Sequence, residues 1–443
     1  MIRVRPFVAR RHMAGLSLIE MMIALIMALI VAAGIITVFA STSSSNKVQQ
    51  QMAALQEEGR FAIHSLRNDL ANANGTYCSN SGGNAGLTTS GLYLDALRSP
   101  TVYSEDNIAP ASATTVVFPD NTVALDDPTE AYSLPSSMFM RGYECTTTTC
   151  APTQLASLEP GVPAMGTAVG DRVKGADVLT IRYLKPGSGW ALTPGGSGLS
   201  IGSPTTITLT PLTGEAPVNT FTGNLAMLAD CSNAQVFAVK GGGTGTLTVF
   251  GPGSPGNYAQ PLDITTGAAP RVFDFKNDFQ TVTYYLRVVC ADGSSPCTHT
   301  TGELVRRVNG QNTPLVMGVE RLDFRYGVID ATGSTRFLSA DQVDAAAANT
   351  CPPDVSTPGG MSSTGCLWRA VQTIEVHILM DGQTPLYTLT PDEMAYIYTP
   401  DSASATPLPP ASHAIQPNAD QGFPNPLLRR EFTTLVALRN FNP

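Results

Sequence analysis

The chain opens with a long apolar stretch. Met21–Ala40 contains no charged residue, and at 1.5 Å per residue a helix of about twenty residues spans roughly 30 Å, the thickness of a bilayer's hydrocarbon core. The apolar core of a cleaved secretory signal is shorter, and Val38-Phe39-Ala40 is a poor cleavage site for a signal peptidase. The pattern therefore predicts a retained transmembrane helix over residues 16–40.

Beyond this stretch the apolar positions recur at spacings of three and four, which is the pattern of an amphipathic helix. Polar residues fill the other face. We expect the N-terminal helix to continue over residues 41–74 and to stop at Gly75. The predicted stripe consists of Val48, Met52, Leu55, Gly59, Ala62, Leu66 and Asp69/Leu70.

From about residue 75 short apolar runs alternate with Gly, Pro and Asn, a pattern that predicts strands joined by turns. Three runs stand out. One of them, residues 282–289, leads into residues 303–308 as a predicted hairpin. Together these features predict an α+β fold, in which the N-terminal helix packs on a large antiparallel, β-rich head over residues 75–443, with a further boundary near residue 270. The three runs are residues 178–184, 282–289 and 371–380.

Two weaker expectations concern polar positions in this head. In residues 371–380 the apolar residues alternate, and His377 falls on the opposite face, where we expect it to be solvated. Three Gly-rich and Pro-rich segments are expected to be surface loops. They are residues 186–204, 241–257 and 401–426.

Charge is distributed unevenly along the chain. The formal net charge is −9, yet the first fifteen residues carry four arginines and no acid, so the remainder carries −13. Basic residues ahead of an apolar helix stay on the cytoplasmic side of a membrane, so we expect a single-pass membrane protein whose N-terminus is cytoplasmic and whose head lies on the opposite side. An acidic head does not favour a nucleic-acid partner.

All eight cysteines follow the apolar stretch, as expected for an oxidising compartment. Six form close pairs, which predicts disulfides, with Cys78 and Cys231 left as further candidates. Zinc is the alternative, but the spacings lack the C-x2-C pattern and a nearby His pair, so no metal site is predicted. The three pairs are Cys145 with Cys150, Cys290 with Cys297, and Cys351 with Cys366.

One carboxylate, Glu20, stands at the front edge of the apolar run, five residues after Gly15. A carboxylate in a spanning segment is costly and is normally retained for a function. The string GLSLIEMMIAL from Gly15 resembles the signature of type IV prepilins. The resemblance implies that residues 1–15 are a leader, that a prepilin peptidase cuts between Gly15 and Leu16 and methylates the new amine, and that Glu20 acts in subunit assembly.

Further strings resemble minor pilins of the PilW type. That resemblance implies a structural subunit that helps to initiate type IV pilus assembly, in a complex with other minor pilins at the fibre tip. It also implies that the membrane is the bacterial inner membrane and that the head is periplasmic. Its implied partners are those minor pilins, the major pilin, the inner-membrane assembly platform and a large tip adhesin. The strings are residues 55–62, 175–183, 230–232, 284–287, 319–327 and 429–440.

Two alternatives remain open: a pseudopilin of a type II secretion system, and a membrane-tethered adhesin or enzyme. Residues 198–202 satisfy the G-x-S-x-G motif of serine hydrolases, but they lie between prolines where no helix can follow. The five histidines form no H-E-x-x-H pattern. We therefore predict no catalytic residue and no cofactor.

Overall fold

The protein divides into two compact units, residues 1–53 and residues 54–443, and the second is called the body below. The structure is a computed structural model. It describes residues 17–77, 85–88, 91–94, 99–105, 130–134, 136–152, 161–192, 206–230, 234–241, 245–253, 256–261, 270–329, 334–345, 365–401 and 406–439.

The first helix, α1, spans Leu18–Leu70 and confirms the long helix predicted from the periodicity. It ends before the predicted stop at Gly75. The amides of Asn72 and Ala73 bond to the carbonyl oxygens three residues earlier, which tightens the last turn, and Asn74 then adopts a φ of 61°. The regular helix therefore ends about one turn before the predicted stop, and the residue that takes the left-handed conformation is Asn74, directly before Gly75.

The described part of the chain then contains mainly strands. The first are β1 Ala85–Thr88, β2 Gly91–Leu94, β3 Thr101–Val102, β4 Tyr132–Ser133, β5 Met140–Cys145, β6 Cys150–Ala151, β7 Met165–Gly166, β8 Arg172–Val173, β9 Val178–Leu184, β10 Trp190–Ala191 and β11 Thr206–Thr208. They are followed by β12 Leu225–Ala229, β13 Ala234–Lys240, β14 Thr246–Val249, β15 Arg271–Asp274, β16 Phe279–Cys290, β17 Thr300–Val308, β18 Gln311–Met317, β19 Val319–Ile329, β20 Thr335–Leu338, β21 Val371–Asp381 and β22 Arg429–Ala437. Short helices are α2 Phe275–Asp278 and α3 Ala340–Asp344, with single turns at Ser136–Met138, Val218–Thr220, Cys366–Ala370, Pro410–Ser412 and Pro417–Gln421.

These strands form three larger sheets besides the β1–β2 pair. The first has the order β10-β15-β12-β13-β14-β11 and the second β18-β17-β16-β9-β5-β6, with β3, β4, β7 and β8 attached at their sides. The third has the order β20-β19-β21-β22. Neighbours pair antiparallel except β3–β13 and β7–β8. The α+β class is confirmed, as is the predicted hairpin, because β16 pairs with β17 from Val282↔Val308 to Cys290↔Thr300.

The largest apolar core joins the end of α1 to the second and third sheets. Apolar residues of α1 between Leu55 and Leu70 share one buried cluster with residues of β16, β17, β19 and β21. On β21 the alternation puts Ile374, Val376 and Ile378 into this cluster. The helix stripe is thus buried for the usual reason, the removal of apolar surface from water.

The opposite face of β21 corrects the prediction for His377. That residue is only 4% exposed, because the segment after β21 folds back over this face and places Tyr396 and Tyr398 in a cluster with Leu379. Tyr398 Oη donates to the His377 carbonyl oxygen at 3.5 Å. The sheet is therefore covered on both faces here, which a period-two pattern alone does not reveal.

The same segment corrects the surface-loop expectation for residues 401–426. Several of its side chains are buried, although it contains little regular structure. The buried residues are Pro410, His413, Pro417, Gln421 and Phe423.

Candidate functional site

The first part of α1 exposes a continuous apolar surface. Within residues 18–53 the side chains of Leu18 and Phe39 are 79% and 74% exposed. The most apolar window of this helix has a mean hydropathy of 2.8, and none of that window is buried. Exposed apolar surface of this size is unfavourable in water. By length and composition the segment can cross a bilayer, as predicted for residues 16–40.

Glu20 forms a capping box with Ser17 at the start of this helix. The Ser17 amide donates to Glu20 Oε2 at 3.1 Å, and the Glu20 amide donates to Ser17 Oγ at 3.2 Å. Two amides of the first turn, which have no partner inside the helix, are thereby satisfied. The carboxylate also lies at the positive end of the helix dipole. Glu20 therefore has a local structural role that the sequence analysis missed, although S-x-x-E is its signal.

Other predicted site residues lie outside the described residues. This holds for Gly15 and Leu16, for Cys78, Cys231 and Cys351, for the side chain of Cys366, and for the G-x-S-x-G string at 198–202.

The second part of α1, which belongs to the body, packs on the sheets of the body through its predicted stripe. Leu55, Ala62, Leu66 and Leu70 are buried. Gly59 is also buried, and a Cβ atom added there would lie 2.5 Å from Cζ of Phe432 on β22. A glycine at this position lets the aromatic ring of the last strand lie directly against the helix backbone.

A single acidic residue of the stripe, Asp69, holds this helix through hydrogen bonds. It is 8% exposed. Tyr183 of β9 donates its hydroxyl to Asp69 Oδ1 at 3.0 Å, and Tyr284 of β16 donates to Oδ2 at 2.6 Å. Arg306 of β17 donates from Nε to Oδ2 at 2.5 Å and from Nη2 to Oδ1 at 3.0 Å. Three adjacent strands thus converge on one carboxylate.

The electrostatics of this cluster favour a fixed protonation state. Burial, and then the charge of Asp69, raise the pKa of Tyr183 and of Tyr284, so both phenols remain neutral donors. The hydrogen bond to Asp69 raises the pKa of Arg306. A carboxylate that accepts from two phenols and a bidentate guanidinium is well compensated for its burial.

The apolar period of the sequence places Asp69 on the helix stripe but does not indicate its partners. They lie 114, 215 and 237 positions further along the chain. An acid on an apolar stripe is the only signal in the sequence, because no local spacing connects it to the three strands.

A second buried polar network crosses the third sheet and the covering segment. Arg429 of β22 donates from Nε and Nη2 to the two carboxylate oxygens of Glu320 at 2.7 and 2.8 Å, and both side chains are fully buried. Burial raises the pKa of Glu320 to about 7, while the charge of Arg429 opposes that rise. Arg429 also donates to the carbonyl oxygens of three residues just before it, Pro424, Asn425 and Leu427.

The same network continues through Asp401. Arg321 Nη1 donates to Asp401 Oδ1 at 3.0 Å, and His413 Nδ1 lies 3.1 Å from Asp401 Oδ2. Although burial opposes the effect, the hydrogen bonds from His413 and Arg321 lower the pKa of Asp401. These contacts hold residues 396–401 and 406–428 on the sheet.

These residues lie in the part of the chain that is similar to a known family. Residues 288–440 match the family model PilW, the type IV pilus-assembly protein W. No curated protein and no solved structure matches the chain.

The PilW match covers the third sheet and most of the contacts just described. It begins near the end of β16 and includes β17 to β22. Arg306, Glu320 and Arg429 all lie within it. The match supports a PilW-like family for this part of the chain, and it links the chain to type IV pilus assembly.

Two of the predicted cysteine pairs are disulfides in the structure. They are Cys145–Cys150 and Cys290–Cys297. Cys290, Asp292 and Cys297 lie close enough together to suggest metal ligands, but both sulfurs are used in the bridge, and a disulfide sulfur is not the thiolate that binds a metal.

Two open clefts share the loop Lys185–Ser188 beside the first sheet. One is lined in addition by Tyr77 and Arg271, the other by Glu215 and Asp278. Burial raises the pKa of Asp278 to about 6. The described linings of the two clefts contain no histidine and no cysteine.

Proposed function

We propose that this protein is a structural minor pilin that takes part in initiating type IV pilus assembly, in a complex with other minor pilins at the fibre tip. The observation that carries the proposal is the match of residues 288–440 to PilW, on a chain whose N-terminal helix exposes its apolar surface. Such a surface needs lipid, or the helices of other subunits, to cover it.

The proposed site of assembly is the first part of α1. Before assembly this segment lies in the inner membrane, with the body in the periplasm. A prepilin peptidase removes residues 1–15, and the new amine at Leu16 meets the Glu20 carboxylate of a neighbouring subunit. Either charge is costly to bury alone, whereas the pair compensates itself if the two groups meet closely.

The capping box supports this role for Glu20. Its Oε2 accepts from the Ser17 amide, but a carboxylate has about four lone-pair sites and can accept further donors. The cap holds the carboxylate at the front edge of the apolar run. Its position is therefore defined before any neighbour arrives, which lowers the entropy cost of pairing.

The proposal also assigns partners. These are the other minor pilins, the major pilin, the inner-membrane assembly platform, the prepilin peptidase and a large tip adhesin. The acidic composition of the chain, with a net charge of −9, supports protein partners rather than nucleic acid.

The test is complementation of a deletion strain of the native host. Wild-type protein and Glu57→Ala should restore pili, whereas Glu20→Ala should be inserted and processed but should not restore them. Glu57 is a matched control because it is an exposed glutamate of the same helix. Normal piliation by Glu20→Ala would remove the assigned role of that residue. Unchanged piliation in the deletion strain, together with lost protein secretion, would favour the pseudopilin alternative.

A further inference from the structure

The two disulfides among the described residues lie in opposite electrostatic settings. Cys145–Cys150 joins the cross-strand pair Cys145↔Cys150 of β5 and β6. Arg172 of β8 lies against it: Nη1 donates to Cys145 Sγ at 3.3 Å, and Nη2 donates to Cys150 Sγ at 3.4 Å. One guanidinium therefore contacts both sulfurs.

Arg172 is held in this position by burial. Its relative exposure is 3%, and Nε donates to the carbonyl oxygen of Pro163 at 3.4 Å. Burial lowers the pKa of Arg172 to about 10, against the opposing charge of Asp177, so the side chain still carries its positive charge at neutral pH. Asp177 in turn accepts from the Cys145 amide at 2.9 Å.

The second bridge, Cys290–Cys297, lies beside a negative charge instead. Asp292 Oδ1 is 3.1 Å from Cys290 Sγ. The Asp292 carboxylate accepts from the hydroxyls of Ser294 and Thr298 at 2.6 and 2.7 Å. Those two hydrogen bonds lower the pKa of Asp292, so this group is ionised near neutral pH.

This contrast predicts different thiol chemistry. A nearby cation stabilises a thiolate and lowers the pKa of the thiol, whereas a nearby carboxylate has the opposite effect. A disulfide whose departing sulfur has a low pKa is attacked faster, and stabilisation of its reduced form makes it easier to reduce.

We propose that Cys145–Cys150 is a site of thiol–disulfide exchange with a dithiol protein of the cell envelope, and that Arg172 is the residue that stabilises the departing thiolate. This proposal does not depend on the proposed pilus function. Of the two bridges, the one that contacts Asp292 is the harder to reduce at equilibrium.

The exchange follows from the exposure of the two sulfurs. Cys150 is partly exposed and Cys145 is buried, so the partner's thiolate attacks Cys150 Sγ. A mixed disulfide forms, the Cys145–Cys150 bond breaks, and Cys145 Sγ leaves as a thiolate beside Arg172 Nη1. The partner's second thiol, as its thiolate, then attacks the partner's own sulfur in the mixed disulfide and releases the Cys150 thiolate, which takes up a proton. Two electrons pass from the dithiol to the cysteine pair.

The experiment uses the full-length protein in detergent, equilibrated with a series of ratios of reduced to oxidised dithiothreitol. Free thiols are alkylated, and peptide mapping gives the reduced fraction of each bridge. We expect Cys145–Cys150 to be half reduced at a reductant ratio at least about tenfold lower than Cys290–Cys297, since a thiol pKa difference of one to two units changes the equilibrium by about this factor. The reverse order would overturn the proposal.

Variants separate the charge from the fold. Arg172→Met should raise by about tenfold the ratio of reduced to oxidised dithiothreitol at which Cys145–Cys150 is half reduced. It should also shift the pH profile for alkylation of this cysteine pair to higher pH, and both properties of Cys290–Cys297 should stay unchanged. Arg172→Lys should restore part of the shift, and Arg60→Met, at an exposed arginine of α1, should have no effect. Identical pH profiles for wild type and a folded Arg172→Met would overturn the proposal. If Arg172→Met does not fold, the proposal is tested instead by the pH profile for alkylation of Arg172→Lys and by the comparison of the two bridges in the wild-type protein.

Discussion

Asp69 and Arg306 form a bidentate pair between the last turn of α1 and strand β17, with N–O distances of 2.5 and 3.0 Å. The pair is supported by two buried tyrosine hydroxyls on the same carboxylate. Because Asp69 is only 8% exposed, its hydrogen bonds are shielded from competing water. The final turns of the helix are thus held on the second sheet by a polar contact in addition to the apolar stripe.

Asp69→Asn should destabilise the body, because the substitution leaves the Arg306 guanidinium without a charged partner. Removal of one member of a partly buried pair costs about 2–4 kcal/mol. Denaturant unfolding of the detergent-solubilised protein, followed by tyrosine and tryptophan fluorescence, measures the loss. Asp392→Asn is the control, since Asp392 is exposed. An equal free energy of unfolding for the two variants would contradict the assigned role of Asp69.

Gly59→Ala should be destabilising and Gly34→Ala should not. The added methyl group at Gly59 meets the Phe432 ring, whereas nothing lies within 4 Å of the same position at Gly34. Overpacking of this kind costs about 1–3 kcal/mol, while alanine is otherwise the better helix former. Adding Phe432→Leu should recover part of the loss. Thermal unfolding of the single and double variants is the measurement, and an undiminished stability of Gly59→Ala would count against the close packing.

Glu320 and Arg429 should show strong coupling. Each single variant, Glu320→Leu or Arg429→Met, leaves a buried charge without its partner and should cost about 3–5 kcal/mol. The double variant removes both charges and should lose clearly less than the sum of the two. Denaturant unfolding of all four proteins gives the coupling energy. Additive losses would show that the pair is not an energetic unit.

His377 should make the stability depend on pH. Burial opposes its charge, but the hydrogen bond to Glu431 at 2.8 Å and the charges of Glu375 and Asp323 raise the pKa of His377 above 6.5. A histidine whose pKa is raised by folding stabilises the folded state fully at a pH below its pKa in the unfolded chain, about 6.5. That stabilisation is lost as the pH rises through the pKa in the folded state. His377→Gln should therefore cost more stability at pH 5.5 than at pH 8.5.

Unfolding curves at the two pH values test this, with His64→Gln as the control because His64 is exposed. A loss of equal size at both pH values would mean that the His377–Glu431 contact does not depend on protonation.

The elements that the sequence predicted correctly are those with a strong local period. The helix α1 and the strands β9, β16 and β21 each carry a long, regular apolar pattern, and the short sequence between β16 and β17 favours a hairpin. For α1 local information is sufficient because its hydrogen bonds are formed within the segment. For β9 and β21 the apolar pattern indicates the type of element, but the strands that they pair with, β16 for β9 and β19 and β22 for β21, lie far away along the chain.

The errors came from contacts between distant parts of the chain. The burial of His377 depends on the segment around Tyr398. The place of Asp69 on the buried stripe was predicted, but its partners were not, because they lie on three strands that follow much later. Whether a face of a strand is solvated depends on what covers it, and that is decided by tertiary packing. The Ser17–Glu20 capping box is a different case, since its signal is local and was overlooked.

The most direct test of the proposed function is the N-terminus of the protein in pili. Pili are sheared from the native host, and the subunit is identified by intact mass and N-terminal sequencing. The account predicts a small amount of this protein in the fibre fraction, beginning with methylated Leu16 and lacking residues 1–15. A protein that is absent from the fibre fraction and retains Met1 in the membrane would contradict the account.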